Sequence, residues 1–224
     1  MQSLPKHHAS LNGYVATSTI ALICALVFTT RYPTDMLPGV GQLPLLQLTL
    51  LAAVAGYPLL WFLQRRGMAP SGRFVWGRGQ IWRIVMLGTL LALPPIAIDL
   101  LTGFSRNMNV PIPAAFLFYP AVALLADVLF HLLPLAALTW MSQGKVRIVW
   151  LFAPVVFTEP IFQAANATGP TIQTWLVFAN VSLISAAQLW VFWRHGFGAM
   201  IALRLVFYFV WHIVWGVARL ALLW

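Results

Sequence analysis

The stretch Phe197–Trp224, FGAMIALRLVFYFVWHIVWGVARLALLW, is long and apolar enough to cross a bilayer, yet it carries Arg204, Tyr208 and His212 at every fourth position. That spacing puts the three side chains on one face of a helix. An arginine at the centre of a membrane costs roughly 2.5–3.5 kcal/mol on insertion scales, so such a residue normally turns toward other helices and normally has a function. Two earlier apolar segments repeat the pattern. Asp127 and His131 are four apart in one, and Glu159 and Gln163 are four apart in the other. Three polar stripes of this kind predict an all-α, polytopic transmembrane bundle that encloses a polar site at mid-membrane.

Composition supports the same class. Of 224 residues, 61% are hydrophobic and only 8% are charged, which no soluble domain of this size matches. The single cysteine, Cys24, excludes a disulfide framework within the chain and a cysteine-built zinc site. A net charge of +9 raises the question of nucleic acid. The basic residues, however, sit in short loops beside apolar runs, where they determine orientation. No nucleic-acid partner is expected, and membrane lipid is. Neither glycine-rich nucleotide-binding motif occurs, nor does an internal repeat or a low-complexity tract.

A span needs about 20 residues to cross about 30 Å of hydrocarbon. Seven stretches qualify: Tyr14–Thr30, Leu43–Leu63, Ile84–Leu101, Ala114–Trp140, Val149–Ala165, Trp175–Trp193 and Gly198–Leu223. The first reads as an anchor, being long for a signal peptide and lacking an A-x-A site. The fifth contains Pro154 and Pro160 and is expected to kink or break. Three regions follow: a tail at 1–13, N-terminal spans at 14–112 with a basic loop at 64–83, and a core at 113–224.

The basic loop holds Arg65, Arg66, Arg73, Arg78 and Arg83, which makes it cytoplasmic in a cell membrane. Alternation then brings Lys6, Lys145, Arg147 and Arg194 to the same side. Arg31, Arg106 and Arg219 fall opposite, with Arg219 placed to snorkel. The N-terminus is expected inside and the C-terminus outside. In this topology Asp127, His131, Glu159, Arg204, Tyr208 and His212 share the central depths of the bilayer, so they can meet.

Two histidines and a carboxylate form a recognised ligand set for catalytic zinc, the fourth position being left to water. His131, His212, Glu159 and Asp127 are the candidate ligands of a divalent metal, most readily Zn2+. The carboxylate not used as a ligand, Asp127 or Glu159, serves as general base. Arg204 and Tyr208 are placed to stabilise an anionic intermediate. The competing reading is a buried polar network in which Arg204 pairs with Asp127 or Glu159 and fixes helix register. Gln163, Asn166 and Asn180 are expected to hydrogen-bond between helices, Asp99 to sit at the interface, His195 to make a solvated or headgroup contact, and His7 and His8 to be solvent-exposed.

The stretch Ala123–Leu138, ALLADVLFHLLPLAAL, resembles the first motif of the CPBP intramembrane metalloproteases, the CAAX-protease or Abi family, which is Glu-Glu-x-x-x-Arg in an apolar helix. The stretch Trp193–Gly216, WRHGFGAMIALRLVFYFVWHIVWG, resembles the family's last motif, a basic-glycine turn before a helix with His-x-x-x-Asn. The resemblance runs from about Ala114 onward. It implies an intramembrane metallo-endopeptidase with Asp127 as base or ligand and His212 as metal ligand, acting on a membrane-associated protein or peptide. This chain has Ala126 and Asp127 for the two glutamates, His131 for the arginine, and Gly216 for the asparagine. The family's middle Phe-x-x-x-His has its counterpart in Phe157–Gln163, where Glu159 stands in for the histidine.

Three functional readings remain open on the sequence. The first is a metal-dependent hydrolase acting on a peptide bond near the membrane. The second is a non-catalytic scaffold or partner-binding protein of the same fold. The third is a small proton- or ion-coupled carrier, which the lack of an inverted repeat disfavours.

Overall fold

The computed structural model describes residues 8–32, 44–70, 77–143, 145–167, 169 and 171–223. Lys6, His7, Arg73 and the side chain of His8 lie outside the described residues. All secondary structure among the described residues is helical. The helices are α1 (His8–Arg31), α2 (Leu45–Arg65), α3 (Arg78–Thr102), α4 (Ala115–Asp127), α5 (Leu133–Met141), α6 (Ile148–Val156), α7 (Thr158–Ala165), α8 (Ile172–His195), α9 (Phe197–Tyr208) and α10 (Gly216–Leu222). A π-helical segment, Val128–Leu132, joins α4 to α5, and another, Phe209–Trp215, joins α9 to α10. Counted with these joints, seven helical spans are long and apolar enough to cross a membrane.

The spans fall where hydropathy puts them, and their ends differ for local reasons. α1 begins at His8, so the end of the expected polar tail is helical. α3 begins at Arg78, which shortens the expected basic loop and puts Arg78 and Arg83 on a helix. α8 starts at Ile172 because Thr171 caps it, its Oγ1 accepting from the Thr174 amide at 3.2 Å.

Spans four and seven are the centre of the bundle. Each has 56% of its most apolar window buried, against 22% for span five. α4 packs on α1, α2 and α9, and α9 packs also on α3 and α8. Small residues allow the close approaches, as in other membrane bundles. Gly88 of α3 lies where a Cβ would come 2.7 Å from Val206. The Tyr14 ring of α1 lies over Gly56 of α2, and its hydroxyl donates to the Ala52 carbonyl at 2.7 Å. Large apolar side chains such as Leu51, Val54, Met86 and Leu90 point outward, as a lipid solvent requires.

Span five breaks, as its prolines predict, at Phe157 between α6 and α7. A second proline determines what meets the break. Pro134 has no amide hydrogen to give the Phe130 carbonyl four residues back. The Thr158 hydroxyl donates to that carbonyl instead, at 2.6 Å. A backbone group orphaned in span four is thereby satisfied from span five, and Glu159, the next residue, is delivered to the interior. Thr158→Val keeps the side-chain volume and removes the donor. It is expected to cost about 1 kcal/mol of stability. Detergent unfolding measures this, and an unchanged midpoint refutes the role given to Thr158.

Candidate functional site

Arg204 is the hub. It is 2% exposed, and its guanidinium uses all of its donors inside the bundle. Nε donates to Asp127 Oδ1 at 2.6 Å. Nη1 donates to Glu159 Oε1 at 3.1 Å and to the Tyr208 hydroxyl at 3.0 Å. Nη2 donates to Glu159 Oε2 and to Gln188 Oε1, both at 2.8 Å. Gln188 in turn donates to Asp127 Oδ1 at 3.3 Å. Spans four, five, six and seven each contribute one partner. The two-pronged grip on Glu159 is the geometry for which a guanidinium is suited and an ammonium is not.

His131 is buried against this cluster. Its Nδ1 is 3.6 Å from Asp127 Oδ1, too far for a hydrogen bond. Neither ring nitrogen has a hydrogen-bond partner, and Asp127 Oδ2 has none either.

His212 belongs to a different arrangement. Its Nδ1 is 2.8 Å from Asn109 Oδ1, from the segment between α3 and α4. An amide oxygen only accepts, so in this orientation Nδ1 carries the hydrogen and Nε2 keeps a lone pair. The ring stacks on Tyr119, with centroids 4.5 Å apart and planes 17° apart, and Tyr208 packs against it at 5.1 Å. The Tyr119 hydroxyl accepts from the Val110 amide at 3.3 Å, which steadies the segment that carries Asn109. Gly216 makes room for this segment: a Cβ there would come 2.9 Å from Asn109 Nδ2. The motif position that holds asparagine in the resembled family is thus glycine here, and an asparagine from another segment fills the space.

The two arrangements share a cavity of about 140 Å3, lined by Glu159, Gln163, Asn180, Arg204, Tyr208 and His212 together with apolar side chains. A second cavity of about 160 Å3 shares Phe104, Gln163 and Val177 with it and extends toward Gln173 and Thr174 at the start of α8. The two adjoin at these residues and extend from the start of α8 toward the ring of His212.

No protein-family model, curated protein or solved structure matches the chain. The resemblance to CPBP proteases therefore stands on its motif residues alone.

The donors expected to hold zinc do not converge. Asp127 and Glu159 face Arg204, and His212 commits Nδ1 to Asn109. Among the described residues, no three His, Cys, Asp or Glu side chains form a metal-ligand group. A divalent cation among these carboxylates would also stand beside a fixed guanidinium charge. The residues as arranged do not fit the metal.

Several polar residues lie elsewhere than expected. Asp99 is not exposed at its span end, and Arg219 does not reach out to water. Each is 1% exposed, and they pair through Arg219 Nε to Asp99 Oδ2 at 2.6 Å and Nη2 to Oδ1 at 2.9 Å. Trp215 Nε1 donates to Asp99 Oδ2 at 2.7 Å, and Arg219 also donates to the Phe104 and Ser105 carbonyls. A charge near a span end has both water and a neighbouring helix within reach, and here the helix wins because the pair is bidentate. Gln163 and Asn166 do not bridge helices: they donate within their own turns, to Glu159 at 3.4 Å and to the Phe162 carbonyl at 2.7 Å. Asn180 Oδ1 is buried without a partner and borders the cavity. His195 borders a separate cavity at the far end of α8.

Removing the hub leaves two carboxylates facing each other. Arg204→Ala is expected to destabilise the protein by about 3–5 kcal/mol. Combined with Glu159→Gln, it should cost less than the two single losses added together. Unfolding of the three variants in mixed micelles measures the coupling, and strictly additive losses would show that the charges do not interact.

Proposed function

We propose that this chain is a membrane-embedded hydrolase with a peptidase-like target, in which His212 held by Asn109 readies a water molecule in the central cavity. The observation that carries this reading is the 2.8 Å contact from Asn109 Oδ1 to His212 Nδ1. It orients the ring and leaves Nε2 as the available base, which is how a third group serves a catalytic histidine elsewhere. The CPBP-like motif residues favour a peptide bond as the target.

The step balances without a further reactant. Nε2 takes a proton from water as the water oxygen bonds to the substrate carbonyl carbon. The Tyr208 hydroxyl accepts from Arg204, so its own hydrogen is available to the developing oxyanion. The carbon–nitrogen bond then breaks, and the imidazolium returns the proton to the leaving amine. Arg204 and Glu159 are positioning residues here, fixing Tyr208 and the cavity wall. In this reading the basic end of the bundle is cytoplasmic, by the nine-to-three bias of basic residues. The cavity beside Gln173 then lies toward the outer side.

A second reading, a non-catalytic scaffold, draws on the complete use of the Arg204 donors across four spans. One experiment separates the two. The protein is reconstituted in liposomes with a library of quenched-fluorescent, lipid-anchored peptides, and products are read by mass spectrometry. His212→Ala is expected to lower kcat by about 10²–10⁴ while the fold persists. Gly216→Ala should lower it through Asn109 without touching the histidine. Folded wild-type protein that cleaves nothing in the library, in either leaflet orientation, supports the scaffold.

A further inference from the structure

A third cavity, of about 90 Å3, lies at the opposite end of the bundle from the cavity beside Gln173, between the start of α3 and the end of α8. It has two halves. Gln80, Arg83 and His195 line one, and Ile84, Leu87 and Val191 line the other, one and two turns further into the spans. Trp190 borders it and is 49% exposed. Trp82 and Trp193 stand beside it on the same helices. Tryptophans in such a ring mark the membrane–water interface, so the cavity sits at headgroup depth with its apolar half toward the acyl chains.

Charge decides what fits. Arg65, Arg66, Arg78, Arg83 and Arg194 lie at this end of the spans. The chain has only four acidic residues. Asp99, Asp127 and Glu159 are paired inside the bundle, and Asp35 lies outside the described residues. Among the described residues Arg83 has no carboxylate within ion-pair distance, and its exposed side chain is free to meet a charge from outside the chain. Gln80 Oε1 is a buried acceptor without a donor. A ligand that offers a phosphate to Arg83, a hydroxyl to Gln80 and hydrocarbon to Ile84, Leu87 and Val191 satisfies all three.

We infer that this cavity is a binding site for the phosphate headgroup of an anionic phospholipid, of the phosphatidylglycerol type. The site is independent of the hydrolytic reading. Basic pockets between transmembrane helices recognise such headgroups by the same chemistry.

The test uses the full-length protein in a neutral detergent, titrated with short-chain phosphatidylglycerol, short-chain phosphatidylcholine or inorganic phosphate, with Tm as the readout. Phosphatidylglycerol is expected to raise Tm saturably, and phosphatidylcholine is not. Arg83→Gln should weaken the apparent affinity by about fivefold or more. Gln80→Leu should weaken phosphatidylglycerol and leave an anionic lipid without a headgroup hydroxyl unaffected. Arg147→Gln, a basic residue outside the cavity, should change nothing. Native mass spectrometry should show one such lipid retained per chain in wild type and lost in Arg83→Gln. Equal affinity in wild type and Arg83→Gln overturns the site. Inorganic phosphate matching the lipid overturns the lipid as its occupant.

Discussion

A guanidinium in the middle of a bilayer cannot be left to solvent. Every feature around Arg204 follows from that constraint. Its five donors need acceptors, and those acceptors come from four spans. Two of them are carboxylates, which themselves could not remain there unpaired. Within hydrocarbon there is no general hydrophobic drive to bring helices together, so contacts of this kind, with close packing at small residues, determine which faces meet. The spans that carry the hub and its first carboxylate are also the most buried, while span five, which contributes one short half-helix, is the least.

Irregular backbone has a similar logic. Both histidines of the site lie in π-helical segments, His131 in Val128–Leu132 and His212 in Phe209–Trp215. A π turn widens the helix and redirects the side chains that follow. In span four the irregularity ends at Leu132, just before Pro134, whose missing donor is replaced by Thr158. In span seven it separates His212 from the strict face of Arg204 and Tyr208, and turns the ring toward Tyr119 and Asn109. The fixed charges and His212 therefore share one helix without competing for the same partners.

The spans were legible because hydropathy over 20 residues is a strong signal and little else in this chain competes with it. The meeting of Arg204 with Asp127 and Glu159 was legible because depth can be counted from span ends. The same count, applied to Asp99 and Arg219, brings opposite charges to one level; reading each against water alone hid the pair. Gln188 and Asn109 gave no such signal. Gln188 has only the small Ser185 one turn away on its helix and no ionisable neighbour to mark a stripe, and Asn109 reaches from a loop to a partner 103 residues away. Residue type shows which side chains can bind a cation, but not that Arg204 and Asn109 engage Asp127, Glu159 and His212 in this arrangement. Gly216 looked like a lost asparagine, when it is the space that another asparagine occupies.

The order in which the chain is made gives the two buried arginines a further meaning. Asp99, Asp127 and Glu159 lie on spans three, four and five, whereas Arg204 and Arg219 both lie on span seven. Synthesis proceeds from the N-terminus, so three acidic side chains leave the ribosome before either of their cationic partners exists. Until span seven arrives, each must be kept protonated, hydrated or sheltered by the insertion machinery. Span seven is thus a latch: its insertion brings the counter-charge of Asp99, Asp127 and Glu159 in one event.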